Sequence, residues 1–265
     1  MILRIFTIHT VCFLMICLLS CGLFSCSKSN SGGGNPPPAP VTYASLQLYV
    51  THVMNDQPLQ RNQEYTNPSG EKFTITRFRY YLSNFAFVDE SGRIIKSAPS
   101  YFLLDDAIDS TRQLQLDSIP AGRYTAVRLL IGVDSARNNS GVQSGALAPE
   151  HGLFWTWNSG YIMAQLEGTA PVINSASHEF QFHVGGYKPP YSVLQPVTIP
   201  LPQPLTIAAG KLPQLHLQAN AGKWFTPNTI SFTKMAVIMA PGNDAMQLAA
   251  NYQHMFTVKS IVNGQ

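Results

Sequence analysis

Apolar and polar residues alternate with a period of two along much of the chain after residue 40. Over 44–52, Leu46, Leu48, Val50 and His52 share one parity against Gln47, Tyr49 and Thr51. This predicts a half-buried strand with His52 at the end of its apolar row. Residues 72–89 carry Phe73, Ile75, Phe78, Tyr80, Tyr81, Leu82, Phe85 and Phe87, a density of aromatic and β-branched side chains that reads as strand, with a bulge or bend at Ser83-Asn84. Ser91-Gly92 is a turn, and 94–104 a further strand pair or loop. Residues 114–119 and 123–133 flank Pro120-Ala121-Gly122 as strand, turn and strand. Over 179–186, Phe180, Phe182 and Val184 oppose Gln181 and His183, and Gly185-Gly186 closes the segment. Residues 197–201 and 205–207 are bounded by prolines and read as edge strands. His216 lies opposite Leu215 and Leu217, where exposure is the default, and 230–239 is a strand. Pro241-Gly242-Asn243-Asp244 signals a helix start, with Asn243 as N-cap and an end near Phe256. About ten strands, one late helix and no βαβ alternation predict an all-β fold, a β-sandwich with one short C-terminal helix.

The first 26 residues stand apart from this pattern. One arginine, Arg4, precedes an apolar run, which ends in Leu18-Leu19-Ser20-Cys21 and then Leu23-Phe24-Ser25-Cys26. Both have the form of a lipoprotein cleavage box, and the run is shorter than the roughly 20 residues a spanning helix needs. Cys26 is the expected lipidated residue, with Cys21 as the alternative, because the chain turns polar directly after Cys26. Residues 27–40 are rich in Ser, Gly and Pro and read as a tether. The expected organisation is a signal peptide over 1–26, a tether over 27–40 and one folded domain over 41–265. Such a protein is held by lipid at the bacterial outer membrane, facing the periplasm or the surface.

All four cysteines fall within the signal region. The folded part therefore has no disulfide and no thiolate ligand, so any metal site must use His, carboxylate, Met or backbone. The chain carries 17 Lys and Arg against 14 Asp and Glu, with no basic run, which gives no basis for nucleic-acid binding. Asp105, Asp106 and Asp109 lack the spacing and central glycine of a calcium loop and read as a solvated loop. There is no Gly-x-Ser-x-Gly elbow, phosphate-binding glycine loop, HExxH pair or CxxCH haem site. The sequence makes no case for an enzyme.

The stretch 141–161 concentrates what chemistry remains. Trp155 and Trp157 are spaced to share one face of an extended segment, His151 and Gly152 lie just upstream, and 161–166 continues the strand. The two rings also fit a plain core plug. Beside them stand His52, His151 and His183, and neutral imidazole suits copper, zinc, iron or nickel. A blue-copper site is excluded because no thiolate is available.

Several blocks resemble the MbnP-like family, a methanobactin-associated copper-binding domain of bacterial periplasmic proteins and lipoproteins. They are Phe78-Arg79-Tyr80-Tyr81-Leu82-Ser83-Asn84, Ile119-Pro120-Ala121-Gly122-Arg123-Tyr124, Ile131-Gly132-Val133-Asp134-Ser135-Ala136-Arg137-Asn138, Phe154-Trp155-Thr156-Trp157-Asn158-Ser159-Gly160-Tyr161, Phe182-His183-Val184-Gly185-Gly186 and Ala250-Asn251-Tyr252. The resemblance implies a β-sandwich holding copper through histidines and a tryptophan oxidised to kynurenine. It also implies a di-haem peroxidase-type (MbnH-like) partner that performs the oxidation. Carried onto this chain, it offers Trp155 or Trp157 for modification and His183 as ligand, with His52 next and His151 dependent on the turn at Gly152. No histidine lies between the two tryptophans or directly after them, a departure from copper sites that have one close in sequence.

Two other readings stay open at this level. One is a glycan-binding or structural surface module in which Trp155, Trp157 and Trp224 form a stacking platform. The other is a protein whose main role is to be oxidised at tryptophan, with metal binding secondary.

Overall fold

The long apolar row at 44–52 becomes the central strand of one sheet, and the aromatic run at 72–89 the central strand of the other. The computed structural model describes residues 40–158 and 160–264. Among these the strands are β1 (Tyr43–Met54), β2 (Gln57–Pro58), β3 (Glu64–Thr66), β4 (Lys72–Asp89), β5 (Ile94–Lys96), β6 (Tyr101–Asp105), β7 (Gln113–Pro120) and β8 (Gly122–Ile131). Then follow β9 (Phe154–Trp155), β10 (Gly160–Thr169), β11 (Glu179–Gly185), β12 (Gln195–Ile207), β13 (Gln214–Asn220), β14 (Val237–Ile238) and β15 (Phe256–Val262). Two helices complete the set, α1 (Ser135–Asn138) and α2 (Asn243–Tyr252). Cys21, Cys26 and the expected tether up to residue 39 lie outside the described residues.

The smaller sheet runs β15-β13-β1-β2, with β7 also on β1. The larger runs β12-β8-β4-β10-β11-β14, with β3, β5 and β6 on β4 and β9 on β10. Pairing is antiparallel except for β1 with β13 and β11 with β14. Leu46, Leu48 and Val50 of the small sheet join Phe78, Tyr80 and Leu82 of the large one in a single buried cluster. Rings bridge the layers: Phe78 meets Trp224 edge-on at 6.2 Å, and Tyr80 meets Phe256 at 5.9 Å. This is the β-sandwich that the alternation predicts.

The bulge at Ser83-Asn84 is present. Asn84 sits at φ 54°, and the β4–β8 register shifts between Ser83 and Ala86. It swaps the inward parity of β4, so that Phe78, Tyr80 and Leu82 are followed by Phe85 and Phe87, all buried. The two proline-bounded segments near 200 form one strand, β12, interrupted by a register shift between Pro200 and Leu205 and lying at the edge of the large sheet.

Four expectations need correction. The helix is capped by Gly242 rather than Asn243 and ends at Tyr252; Phe256 already belongs to β15. The strand expected over 230–239 shrinks to the two residues of β14. Residues 161–166 do not continue the Trp strand. The chain turns back after Trp155, so that β9 and β10 form a hairpin with Trp155 opposite Gly160 and Phe154 opposite Tyr161. The Asp105–Asp109 segment is not a uniformly solvated loop, because Asp106 is almost fully buried against His52.

The Ile131–Asn138 block holds this hairpin in place. Asp134 caps α1 by accepting from the Arg137 amide at 3.0 Å, and it also accepts from Asn84 Nδ2 and Tyr101 Oη. Asn138 donates to the Val133 carbonyl at 2.6 Å and accepts from the Tyr161 amide at 3.0 Å. A buried asparagine satisfied on both ends fixes where β10 begins.

Candidate metal centre

Arg79, Gln165 and His183 lie abreast on β4, β10 and β11, since Gln165 is paired with both of the others. They occupy the outer face of the large sheet, because their neighbours Phe78, Leu166 and Phe182 are buried between the layers. The 3-10 segments and loop over 145–153 lie across this face. Arg79 Nη1 donates to the His151 carbonyl at 3.0 Å, and Tyr161 Oη donates to the Leu147 carbonyl at 2.9 Å.

The polar network has a defined direction. Arg79 Nε can only donate, and it does so to Gln165 Oε1 at 2.7 Å, which turns the Gln165 amide nitrogen toward Glu167 and His183. Glu167 Oε1 lies 2.6 Å from His183 Nε2, and Arg77 lies 3.3 Å from the other carboxylate oxygen. The bond from His183 holds the Glu167 carboxyl below its ordinary range against the opposing effect of partial burial, with Arg77 assisting. An ionised Glu167 accepts only, and its Oε1 takes the Gln165 amide at 2.6 Å as well as facing His183 Nε2, so that ring nitrogen is enclosed by Glu167 and Gln165 and Nδ1 is the one left outside the network. Nδ1 has no hydrogen-bond partner among the described residues. A carboxylate that anchors one imidazole nitrogen while the other stays open is the arrangement usual behind metal-binding histidines.

The tryptophan pair comes to the same face. A Cβ on Gly185 would stand 2.4 Å from Trp155 Cζ3 and 2.8 Å from Cη2, so the indole lies directly on the Gly185 backbone. Gly185 is two residues beyond His183 and therefore on the same side of β11, roughly 7 Å along the strand. Trp155 is 7 % exposed and Trp157 65 % exposed, with their rings 5.3 Å apart and tilted by 36°. The two rings meet, but not as neighbours on one extended strand: Trp155 ends β9 and Trp157 stands in the turn that follows it.

The other candidates lie elsewhere. His52 points between the sheets, with Nδ1 2.8 Å from Asp106 and Nε2 3.0 Å from Tyr80 Oη. Burial pulls its proton affinity below the ordinary value, against the opposing pull of Asp106. Both nitrogens are taken, and the sheet separates it from His183. His151 is exposed, with Nε2 3.0 Å from the Gly145 carbonyl; it contributes its own carbonyl to Arg79 but no side chain to the network. His216 is half-buried, stacked on Tyr49 at 4.7 Å. Trp224 is fully buried, so the platform of three tryptophans does not exist. The described residues gather no group of three or more His, Cys, Asp or Glu side chains. Sequence reasoning missed Glu167 and Gln165, although both fall at outward positions on the strand beside His183.

The MbnP family model matches residues 43–247. The chain belongs to the MbnP family. It is similar in structure to MbnP from Methylosinus trichosporium, with a TM-score of 0.52 at 13 % identity, over 77 % of this chain and 84 % of that one. At that identity the likeness speaks for the fold. No curated protein matches the chain. MbnP family membership links the chain to methanobactin-related copper handling.

Proposed function

We propose that this MbnP-family protein binds copper on the outer face of β10 and β11, using His183 and a nitrogen derived from Trp155. The observation that carries the reading is the seating of Trp155 on Gly185, on the strand and face that present His183 with Nδ1 open and Nε2 anchored by Glu167. Imidazole suits copper, and the carboxylate behind it orients the ring. An intact indole N–H offers no lone pair to a metal. Opening the ring to kynurenine leaves an aryl amine that does, adding a second nitrogen donor beside the first. Trp155 is the better placed of the pair, since Trp157 extends into solvent.

The oxidation requires a partner, and a di-haem peroxidase-type enzyme of the MbnH kind is the proposed one. Lipidation at Cys26 would hold the domain at the outer membrane, where it would acquire or hand over copper without itself being an enzyme. The deciding experiment is metal analysis with intact-mass spectrometry on protein purified from its native host. The expected result is one copper per chain together with a mass change equal to one ring carbon replaced by oxygen. Metal-free protein of unmodified mass, from cells supplied with copper, would overturn the reading.

A further inference from the structure

We infer that Met239 supplies a thioether ligand to the copper site at His183. The inference rests on the copper reading above and adds a residue to it. β11 and β14 pair in parallel, Gln181 opposite Val237 and Phe182 opposite Ile238. Residues opposite one another share a face of the sheet. Burial agrees: Phe182 and Ile238 are buried, while Val237 is exposed. The chain stays beside β11 after Ile238, because a Cβ on Gly186 would lie 3.1 Å from Cβ of Pro241. Met239 therefore falls next to His183, on the outer face by the alternation that exposes Val237, and is 41 % exposed.

Neighbouring strands are about 4.8 Å apart, a gap that a methionine side chain and an imidazole span together. His183 then has Glu167 and Gln165 on one flank, the Trp155 indole over Gly185 two residues along its own strand, and Met239 on the other flank. Thioether sulfur is a soft donor that, with imidazole, favours copper(I). Met is unbranched and rotates about three bonds, so it can reach a metal without moving the backbone. The packing roles of methionine are filled elsewhere: Met54, Met163 and Met255 are buried, and Met235 and Met246 pack against the core.

The test compares wild type, Met239→Leu, Met246→Leu and His183→Ala, each isolated from a periplasm containing the oxidising partner. Copper(I) affinity is measured by competition with a chromophoric chelator. Methyl resonances of labelled methionine are followed in the metal-free proteins during addition of silver(I). Leucine conserves volume and the site is exposed, so Met239→Leu should stay folded, with an unchanged melting temperature. The expected result is a loss of copper(I) affinity of roughly tenfold or more in Met239→Leu, none in Met246→Leu, and a silver-induced shift of the Met239 methyl. Binding that depends on His183 but is unchanged in Met239→Leu would overturn the thioether ligand alone. Wild type that binds no copper would overturn the site as a whole.

Discussion

The indole of Trp155 rests on the bare backbone of Gly185, closer than any side chain at that position would permit. Gly185→Ala should therefore lift the ring into solvent. Overpacking of this kind costs about 1–3 kcal/mol, and the displaced indole should show a red-shifted emission over the background of buried Trp224 and exposed Trp157, most cleanly read in a Trp157→Phe background. Copper loading should fall with it. An alanine variant with wild-type emission and stability would mean that Trp155 is not seated there.

Glu167 is expected to act through His183. Glu167→Gln replaces the carboxylate beside His183 Nε2 by a neutral amide, which loses the charge and can present an N–H in its place, and copper affinity should drop by about 10–100-fold, as for other outer-sphere partners of ligating histidines. His183→Ala should drop it further, and His216→Ala not at all. Acid stability gives an independent reading. The folded carboxyl titrates below its ordinary value of 4.5, so its contribution is present above that value and is lost as pH falls through the folded one. The stability gap between wild type and Glu167→Gln should narrow on acidification below about pH 4.5; a gap that widens would contradict the pairing.

His52 should behave as a core residue. His52→Gln leaves Asp106 with a poorer partner and should cost about 1–3 kcal/mol, with copper binding unaltered. Because burial lowers the proton affinity of His52 in the fold, the unfolded chain takes up its proton first as pH falls below 6.5. Wild-type stability should thus decline from there toward the folded value, and the glutamine variant should lack that part of the slope. Loss of copper in parallel with His183→Ala would return His52 to the site.

The two tryptophans should separate cleanly. Trp155→Phe is expected to abolish the mass change, whereas Trp157→Phe leaves its final site intact. If the modified mass persists in Trp155→Phe, tandem mass spectrometry will locate it on Trp157 and the proposed donor is wrong.

Membrane attachment is tested at Cys26. Cys26→Ser should release soluble protein or leave an unprocessed precursor, while Cys21→Ser should still label with palmitate. The reverse pattern would move the anchor to Cys21.

Local alternation made much of the sandwich legible. The inward row of β1, the strict pattern around His183 and the Asn84 bulge all carry their signal in a few consecutive residues. What escaped was what depends on partners distant in sequence. The pattern Trp155, Trp157, Tyr161 fits a straight strand as well as a hairpin, and only the latch from Asn138 to the Tyr161 amide decides between them. His52 and Asp106 are separated by 54 positions, so an acidic cluster read as solvated could not be seen to hold a buried imidazole. Glu167 and His183 meet across a register that period-two reasoning leaves undetermined.

The position of β1 has a consequence for how the chain is made. It is the first strand among the described residues, yet it sits between β7 and β13, with contacts spanning 72 residues at Ser45–Asp117 and, directly after its end, 165 at Asn55–Asn220. A polypeptide emerging N-terminus first has Leu46, Leu48 and Val50 on offer long before their last partner is synthesised. Closure waits for β13, and loop entropy of that span makes it a slow event. During that interval the nascent chain exposes an unpaired apolar strand, and it is then that a holding chaperone would be needed.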